Sequence, residues 1–456
     1  MKRNQQIHFI GIGGAGMFPM AEVLHRRGYT VTGSDCVCSD GVLQLRAWGI
    51  SVQIGHGVDL VRGADLVVYS SAVREDTSEL VWAHERGIPT MKRAGMLGDL
   101  MRSSFSIGIS GTHGKTTTTS IIGSVLESAG YDPTVIVGGV LRGRGTTSGA
   151  MVGSGNYLVA EADEYDRSFL EMHPTMAVVT NIEEDHLDIY KDLADIQDAF
   201  SQFLHRVPFF GCGVLCIDDP GVRAIWDTLD KPMVTYGYSH DATYRIEEVE
   251  CHGNESCFSI YGADISLENI VLPLVGRHNI QNGAAAAVVA LEMGISPEAV
   301  RHGLAEFGGV KRRMEYIGTA AGVSVYDDYA HHPTEITATL SAMAGMSTER
   351  LFVVFQPHLY SRTKQLWHEF VTALASDDIF EVLLLPIYGA REAHDPHVDS
   401  VGLAHEISRL GKKAYALSVE ETPAYLHGRV RQGDHVLLLG AGDVWKLGTE
   451  ILREIG

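Results

Sequence analysis

The chain has 456 residues, more than one hydrophobic core ordinarily serves, so two to three domains are expected. It is 45% hydrophobic, with 50 glycines and 14 prolines dispersed through it, a composition that excludes a fibrous or disordered protein and fits a soluble α/β one. Its 36 lysines and arginines against 57 aspartates and glutamates leave a formal charge of -21, a field that repels polyanions and anionic membranes and argues against nucleic acid as a partner.

A small anionic substrate is compatible with that field, because helix N-termini and a few basic side chains dominate inside a cleft. The six cysteines, at 36, 38, 212, 216, 251 and 257, match neither a paired C-x2-C zinc site nor a disulfide framework, and read as free thiols of a reducing compartment. The first residues lead straight into a strand and glycine turn without a cleavable apolar leader, and no run reaches the roughly 18 apolar residues of a membrane span. A cytoplasmic location without membrane insertion is the expectation.

Residues 7–10, IHFI, predict a strand that enters the turn GIGGAG, and MAEVLHRRG after it has helical spacing, with Met20, Val23 and Leu24 on one face. YTVTGSD and ADLVVYSSA predict two further strands, so a first unit ending near residue 104 has the strand, glycine turn, helix, strand order of a doubly wound sheet. A second unit opens with the strand FSIGIS, a glycine loop and the helix KTTTTSIIGSVLESAG, whose four consecutive threonines are placed by position and not by helix propensity. YLVAEADE and MAVVTNI predict buried strands whose carboxyl ends present acids and amides. Residues 233–275 alternate apolar and polar positions and predict a small antiparallel sheet apart from the parallel one. Residues 278–294 predict a helix whose alanines permit close packing. From 314 onward, GVSVYDDYAHHPTEI, LFVVFQPHLYSRT, EVLLLPI, KAYAL and DHVLLLGAGDV repeat a strand and crossover rhythm. The expected architecture is α/β, with domains at 1–104, 105–313 and 314–456.

Chemistry concentrates first in GTHGKTTT, residues 111–118, where five residues separate Gly108 from the Gly114-Lys115 pair, one more than in the usual phosphate loop. Glycine N–H groups approach a phosphate without an obstructing Cβ, and the following helix adds its positive end. Lys115 is placed for β/γ-phosphate oxygens, Thr116 for a bridging magnesium ion and Thr117 for a further hydrogen bond. Glu161, at the end of YLVAE, is a candidate ligand of that ion or of its water, and Asp163 and Glu164 are candidates for orienting a neighbour. His186, within EEDHLD, is a candidate second-metal or phosphoryl contact with Asp185 and Asp188 as orienting partners; a solvated surface histidine is the alternative.

In GIGGAG, Gly11, Gly13 and Gly16 satisfy the dinucleotide fingerprint, and Asp35 ends the next strand where a ribose-binding acid belongs. The physical content of the turn is diphosphate binding. A nicotinamide oxidoreductase has no use for a separate GTHGKT loop, so a diphosphate-linked substrate is favoured over NAD(P) and over a purely structural turn. Near the C-terminus, Asp327, Asp328, Tyr329, His331 and His332, then Gln356, Pro357, His358, Tyr360, Ser361 and Arg362, gather at strand ends, although unpaired histidine and arginine are costly to bury. Adjacent histidines rarely converge on one ion, so cations and donors presented to two anionic reactants explain the pattern better than zinc does. Arg312 and Arg313 fit the same use.

Taken together, GIGGAGM, GTHGKTTT, EADEYDRSF, NIEEDHLDIY, RHNIQN, FGGVKRRME, DDYAHHPTEI, FQPHLYSRT and GAGDV, in that order over essentially the whole chain, resemble the Mur ligases of peptidoglycan precursor synthesis. The resemblance implies an N-terminal Rossmann-like domain for the UDP end of the substrate, a central P-loop ATPase-like domain for ATP, and a C-terminal Rossmann-like domain that supplies the amino-acid site and closes over both. It implies ATP contacts at Gly111, Thr112, His113, Gly114, Lys115, Thr116, Thr117, His278, Asn279, Asn282, Arg313 and Asp328, with Asn282 at the adenine and Asp328 at the ribose. It implies magnesium (Mg2+) on Thr116, Glu161 and His186, and substrate contacts at Gly11, Gly13, Gly14, Gly16, Ser34, Asp35 and Ser70. His331, His358 and Arg362 would receive the amino acid, Arg362 by its carboxylate, and Lys115, His331 and Arg313 would carry catalysis.

EADEYDRSFLEMHP offers no obvious lysine for the carbamylation that several sister ligases use, and the compact NIEEDHLDIY is similar to the branch that adds alanine. Tyr165 is a feature shared with the branch that recycles a tripeptide. The expected reaction is therefore ATP-dependent joining of L-alanine to UDP-N-acetylmuramate through an acyl phosphate, by a monomer or weak homodimer with small-molecule partners. The recycling ligase, an NAD-dependent oxidoreductase and a non-catalytic nucleotide-binding regulator are the competing readings.

Overall fold

The computed structural model describes residues 5–70, 72–139, 149–186, 189–346, 349–390 and 392–456. The chain divides into two compact units, one of residues 1–249, 257–273 and 281–310, the other of residues 250–256, 274–280 and 311–456.

The first unit opens with five short strands, β1 (Gln6–Ile10), β2 (Thr30–Asp35), β3 (Ser51–Ile54), β4 (Leu66–Tyr69) and β5 (Thr90–Lys92), all parallel in the order β3-β2-β1-β4-β5. Strand order reverses between β1 and β4, the place where open α/β sheets bind ligands at their carboxyl ends, and GIGGAG leaves β1 at that point. The sequence reading placed β1, β2 and β4 but not β3 and β5, whose four and three residues are too short to show a period.

The chain continues with β6 (Phe105–Ser110), β7 (Thr134–Ile136), β8 (Ala150–Met151), β9 (Tyr157–Glu161), β10 (Met176–Val179), β11 (Cys212–Cys216), β12 (Met233–Gly237), β13 (Tyr244–His252), β14 (Glu255–Tyr261) and β15 (Ser266–Leu272). They form one ten-stranded sheet in the order β15-β14-β13-β12-β11-β10-β6-β9-β7-β8. The expectation of a separate small sheet over 233–275 is corrected: β12 pairs parallel with β11 and with β13, so these strands extend the same sheet. Alternation of apolar and polar residues reports one covered face, and a sheet edge carries that pattern as readily as an independent sheet does.

Registers Val179↔Ser110 and Ile109↔Glu161 bring the carboxyl ends of β10, β6 and β9 level with one another. Behind them, Phe169 stacks on Phe203 with centroids 5.1 Å apart and meets Phe200 edge-on at 5.2 Å, all three within one apolar core that also contains Phe9 and Ile12. Helix Lys115–Ser128 follows β6, and its Thr116, Thr117, Thr118 and Thr119 are all buried. Short β-branched hydroxyl side chains fit where a longer polar one would have to leave the core. Helix Arg277–Glu292 buries Ala284, Ala285, Ala286 and Ala287 completely.

The second unit carries β16 (Glu315–Ala320), β17 (Val323–Asp328), β18 (Leu351–Phe355), β19 (Glu381–Leu384), β20 (Ala414–Ala416) and β21 (His435–Leu439), in the order β16-β17-β21-β18-β19-β20. Only β16 runs antiparallel. Along β18 and β21, Val353, Phe355, Leu437 and Leu439 face one core while Phe352, Val354, Val436 and Leu438 face another. Both faces are covered, which is why LFVVF and HVLLL read as unbroken apolar runs. Helix Pro333–Ala344 starts with a capping box of His332 and Glu335 and a proline in its first turn. Among the described residues no helix is long and apolar enough to cross a membrane, and all six cysteines are free.

Candidate active site

The loop between β6 and helix Lys115–Ser128 is held in shape by the segment that follows β10. His113 N–H donates to Asn181 Oδ1 at 2.8 Å, and the His113 carbonyl accepts from Asn181 Nδ2 at 3.1 Å and Thr180 Oγ1 at 2.6 Å. Thr112 N–H reaches the Asn181 carbonyl at 3.1 Å, and Thr112 Oγ1 accepts from Glu183 N–H at 2.9 Å. Asn181, which opens the second acidic motif, thus shapes the loop. Gly111 and Gly114 have φ of 139° and 84°; a Cβ at Gly111 would lie 2.0 Å from Thr180 Oγ1, and one at Gly114 2.6 Å from Asn282 Oδ1. No side chain fits either position.

Lys115, the first residue of the helix, donates from Nζ to the carbonyls of Gly111 at 2.6 Å and Thr112 at 3.2 Å and to both oxygens of Glu164 at 2.8 and 2.9 Å. Burial pulls its ammonium down, but Glu164, Asp163 and Glu161 outweigh that and hold it above the ordinary lysine range. Glu161 ends β9 beside the loop, hydrogen-bonded to Thr116 and to the Gly138 N–H, and burial raises its carboxyl against those bonds. Its Oε1 is buried without a hydrogen-bond partner among the described residues. An orphaned carboxylate oxygen next to a threonine hydroxyl fits an oxygen-seeking ion such as magnesium. His186, at φ 55°, places Nε2 3.8 Å from Glu164 Oε1 and 3.7 Å from Asp185 Oδ2, so it joins the acidic cluster and is not a bare surface histidine. Asp188, its other expected partner, lies outside the described residues.

Asn282 lies on helix Arg277–Glu292, against the glycine loop. It is buried, its Oδ1 accepts from Thr118 Oγ1 at 3.1 Å, and it packs under Gly114, since a buried amide takes the partners its surroundings supply. Sequence reasoning linked Glu164 to no particular neighbour and missed Thr180 altogether; the contacts span 49 and 67 residues, and no local spacing announces them.

At the other glycine turn, Gly11 at φ 80° and Ile12 donate their N–H groups to the Ser34 carbonyl at 2.8 and 3.0 Å. Gly13 N–H donates to Asp35 Oδ2 at 2.8 Å, and Asp35 Oδ1 accepts from Val37 N–H at 3.1 Å. Asp35 therefore shapes the turn. The Ser34 side chain is fully buried, and its carbonyl anchors Gly11. Ser70 Oγ lies 3.7 Å from the Cβ position of Gly11, and Gly14 packs within the turn, its N–H donating to Gly11 O at 3.1 Å. Arg93, which the sequence reading did not single out, approaches the Cβ position of Gly16 to 3.0 Å and sets a cation at this turn.

In the second unit, β17 leads into a histidine-bearing turn. His331 and His332 N–H groups donate to Glu335 Oε2 at 3.0 and 3.3 Å, and Arg313 Nη1 lies 3.8 Å from Glu335 Oε1. Arg312 and Arg313 stack over Tyr329 at 4.9 and 5.0 Å. His331 Nδ1 meets the Tyr329 carbonyl at 3.1 Å; a carbonyl only accepts, so Nδ1 carries the hydrogen and Nε2 keeps its lone pair. The rings of His331 and His358 are 5.9 Å apart, and Arg362 Nη1 is 3.5 Å from His358 Nδ1. Burial, with Arg362 nearby, lowers both imidazoles to about 4, so both are neutral at neutral pH. Asp328 is turned inward, accepting from Met314 N–H at 2.7 Å and Ala330 N–H at 2.8 Å; it braces the turn that carries Arg312 and Arg313. Asn279 is likewise committed, its Nδ2 donating to the Val275 carbonyl at 2.8 Å, and the ring of His278 lies against Gly276. In GAGDV, Gly442 lies against Gln356, whose Oε1 accepts from Asp443 and Val444 N–H at 2.9 and 3.1 Å.

Three family models match in sequence: "Mur ligase family, catalytic domain" over residues 6–105, "Mur ligase middle domain" over 109–290 and "Mur ligase, glutamate ligase domain" over 312–442. The chain is 48% identical over 448 residues to a UDP-N-acetylmuramate--L-alanine ligase of Salinibacter ruber, covering 97% of this chain and 94% of that one. It is 46% identical over 452 residues to the protein of that name from Solidesulfovibrio magneticus, with 98% of each covered. Among solved structures, UDP-N-acetylmuramate-alanine ligase of Thermotoga maritima superposes with a TM-score of 0.82 at 27% identity over 98% of both chains. A murein peptide ligase of Psychrobacter arcticus shares the fold at a TM-score of 0.68 and 23% identity, over 99% of both chains. With a phosphate loop of this build and matches that run from the first strand to the last, the chain belongs to the Mur ligase family.

Proposed function

We propose that this protein joins L-alanine to the lactyl carboxylate of UDP-N-acetylmuramate with hydrolysis of ATP to ADP and phosphate, in peptidoglycan precursor synthesis in the cytoplasm. Residues 1–104 bind the UDP end of the substrate, 105–313 bind ATP, and 314–456 bind the amino acid. The observation that carries this reading is Lys115 at the mouth of the glycine loop with Thr116 and Glu161 beside it, in a chain 48% identical to a ligase of that name.

A carboxylate does not condense with an amine in water because its leaving group would be oxide. The lactyl carboxylate oxygen instead attacks the γ-phosphorus of ATP, the bond to the β-phosphate oxygen breaks, and ADP departs. The free amine of L-alanine then attacks the acyl carbon, the acyl C–O bond breaks, phosphate leaves, and nitrogen loses a proton. Lys115 neutralises the oxygens of the transferring phosphoryl group once phosphate takes the place of Glu164, and loop N–H groups orient it. Thr116, Glu161 and His186 would hold magnesium, which when bound offsets further phosphate charge. Arg362 pairs with the alanine carboxylate. His331, neutral with its lone pair on Nε2, accepts from the amine and orients its attack, and Glu335 fixes that imidazole and Arg313. Water must be kept from the acyl phosphate throughout.

The test is incubation with ATP, magnesium and UDP-N-acetylmuramate, comparing L-alanine, glycine, L-serine and the murein tripeptide for phosphate and ligated product. Matched phosphate and product with L-alanine is expected. Product with the tripeptide alone would assign the recycling reaction instead, and ATP turnover independent of UDP-N-acetylmuramate would reject both.

A further inference from the structure

The carboxyl edge of the first sheet carries a constellation that ligation leaves unused. Cys36 follows β2 and His56 follows β3; these neighbouring strands end in register at Asp35 and Ile54, and Gly55 N–H donates to the Asp35 carbonyl at 2.8 Å. Cys36 Sγ lies 3.3 Å from His56 Nε2, and His56 Nδ1 lies 2.7 Å from Glu79 Oε2. The other Glu79 oxygen is 3.1 Å from His8 Nε2, and His8 Nδ1 is 2.9 Å from Thr32 Oγ1. His8 and Glu79 are fully buried, whereas Cys36 is exposed.

Each partner dictates the next. Burial pushes the Glu79 carboxyl up, but hydrogen bonds, those from His8 and His56 among them, outweigh it and keep Glu79 ionised. An ionised carboxylate only accepts, so His56 Nδ1 carries the hydrogen and Nε2 offers its lone pair to the Cys36 thiol. Nucleophile, base and orienting acid thus stand in hydrogen-bonding sequence, which is the arrangement that makes a thiol reactive. Cys38 and Cys251 are also exposed, and among the described contacts neither has an imidazole partner. Asp35, which precedes Cys36 in the chain, holds Gly13 N–H, so Cys36 directly follows a residue that shapes the glycine turn.

We propose that Cys36 is an activated thiol whose modification by hydroperoxides or carbon electrophiles blocks entry of the substrate's nucleotide end. The blocking half rests on the reading of residues 1–104 as the UDP-substrate domain. With a hydroperoxide, sulfur attacks one peroxide oxygen, the S–O bond forms as O–O breaks, and the thiol proton passes through His56 to the departing oxygen. Cysteine is oxidised to the sulfenic acid, and the hydroperoxide is reduced to an alcohol, or to water when it is hydrogen peroxide.

The experiment treats the full chain with limiting iodoacetamide and quantifies Cys36, Cys38 and Cys251 by fragment-ion mass spectrometry. Cys36 should react about tenfold faster than the other two, and His56→Gln should bring it to the rate of Cys38 while Cys251 is unchanged. Equal rates in the native protein, or no effect of His56→Gln, overturn the activated thiol. UDP-N-acetylmuramate should slow Cys36 labelling and leave Cys251 labelling alone; a fast but unprotected Cys36 overturns the blocking half and leaves the thiol standing. Hydrogen peroxide should inactivate ligation by the native chain and spare Cys36→Ser; equal inactivation of both rejects the blocking role.

Discussion

The Lys115 ammonium is 2.8 and 2.9 Å from the two carboxylate oxygens of Glu164 and 2.6 Å from the Gly111 carbonyl, so the cation of the phosphate loop is held by anionic and carbonyl oxygens of its own surroundings. All three ammonium hydrogens have acceptors before any nucleotide arrives. If phosphate comes to Lys115 as proposed, Glu164 is the anionic partner it would displace, and the acid keeps the buried cation paired in the free protein.

Glu164→Gln should therefore weaken the free protein and strengthen its response to ATP. Removing one partner of a buried pair costs about 3 kcal/mol, which lowers Tm, and ATP should then raise Tm by more than it does in the native chain. Thermal unfolding with and without ATP measures both. A smaller ATP-induced shift in the variant would refute the displacement.

Lys115→Ala should reduce acyl-phosphate formation by about 10²-fold or more, the loss typical of one donor aimed at developing charge. Single-turnover phosphate release from ATP and UDP-N-acetylmuramate reports it. Native release would remove Lys115 from the first step.

Gly114→Ala forces a side chain into a left-handed turn at φ 84° with a Cβ 2.6 Å from Asn282 Oδ1. The conformation alone costs about 1–2 kcal/mol, and the loop must shift to relieve the contact. ATP affinity should fall while UDP-N-acetylmuramate affinity, proposed to depend on the other glycine turn, should be unchanged. Calorimetric titration with each ligand separates the two; a parallel loss would mean global damage.

Arg362→Ala should raise KM for L-alanine with a smaller effect on kcat if the guanidinium beside His358 pairs, as proposed, with the carboxylate that does not react. Steady-state kinetics at saturating ATP decides it, and an unchanged KM rejects the contact.

Burial holds His331 at about 4 in the folded chain against 6.5 for a free imidazole. The unfolded state then binds the extra proton between those values, so this term is fully present above 6.5 and is lost as pH falls from 6.5 toward 4. His331→Asn should flatten stability over that window in denaturant titrations at several pH values. An unchanged slope would show that the imidazole is not desolvated.

Much of the fold was legible along the chain because its signals are local. Apolar runs such as LFVVF and HVLLL become strands covered on both faces, and the threonine-rich turn after GTHGK becomes a buried helix start. What misled was equally physical. Residues 233–275 carry the alternation of a half-covered strand, which does not say whether a sheet ends or continues, and β16 is an edge strand with mixed polarity and a register shift between Tyr316 and Gly318.

The sequence by itself determined the order of strands and turns, the two glycine motifs and the residue types around them, since backbone freedom, helix period and phosphate-loop spacing are properties of neighbours in the chain. Only the tertiary structure decided how those residues are used. It set Glu164 on Lys115, Asn181 on His113, Ser34 beneath Gly11 and His56 between Cys36 and Glu79. Most of those pairings close across strands brought into register, and Glu79 reaches His56 from helix Ser78–Glu85; buried donors and acceptors take the partners that packing puts within reach, whatever their separation in the chain.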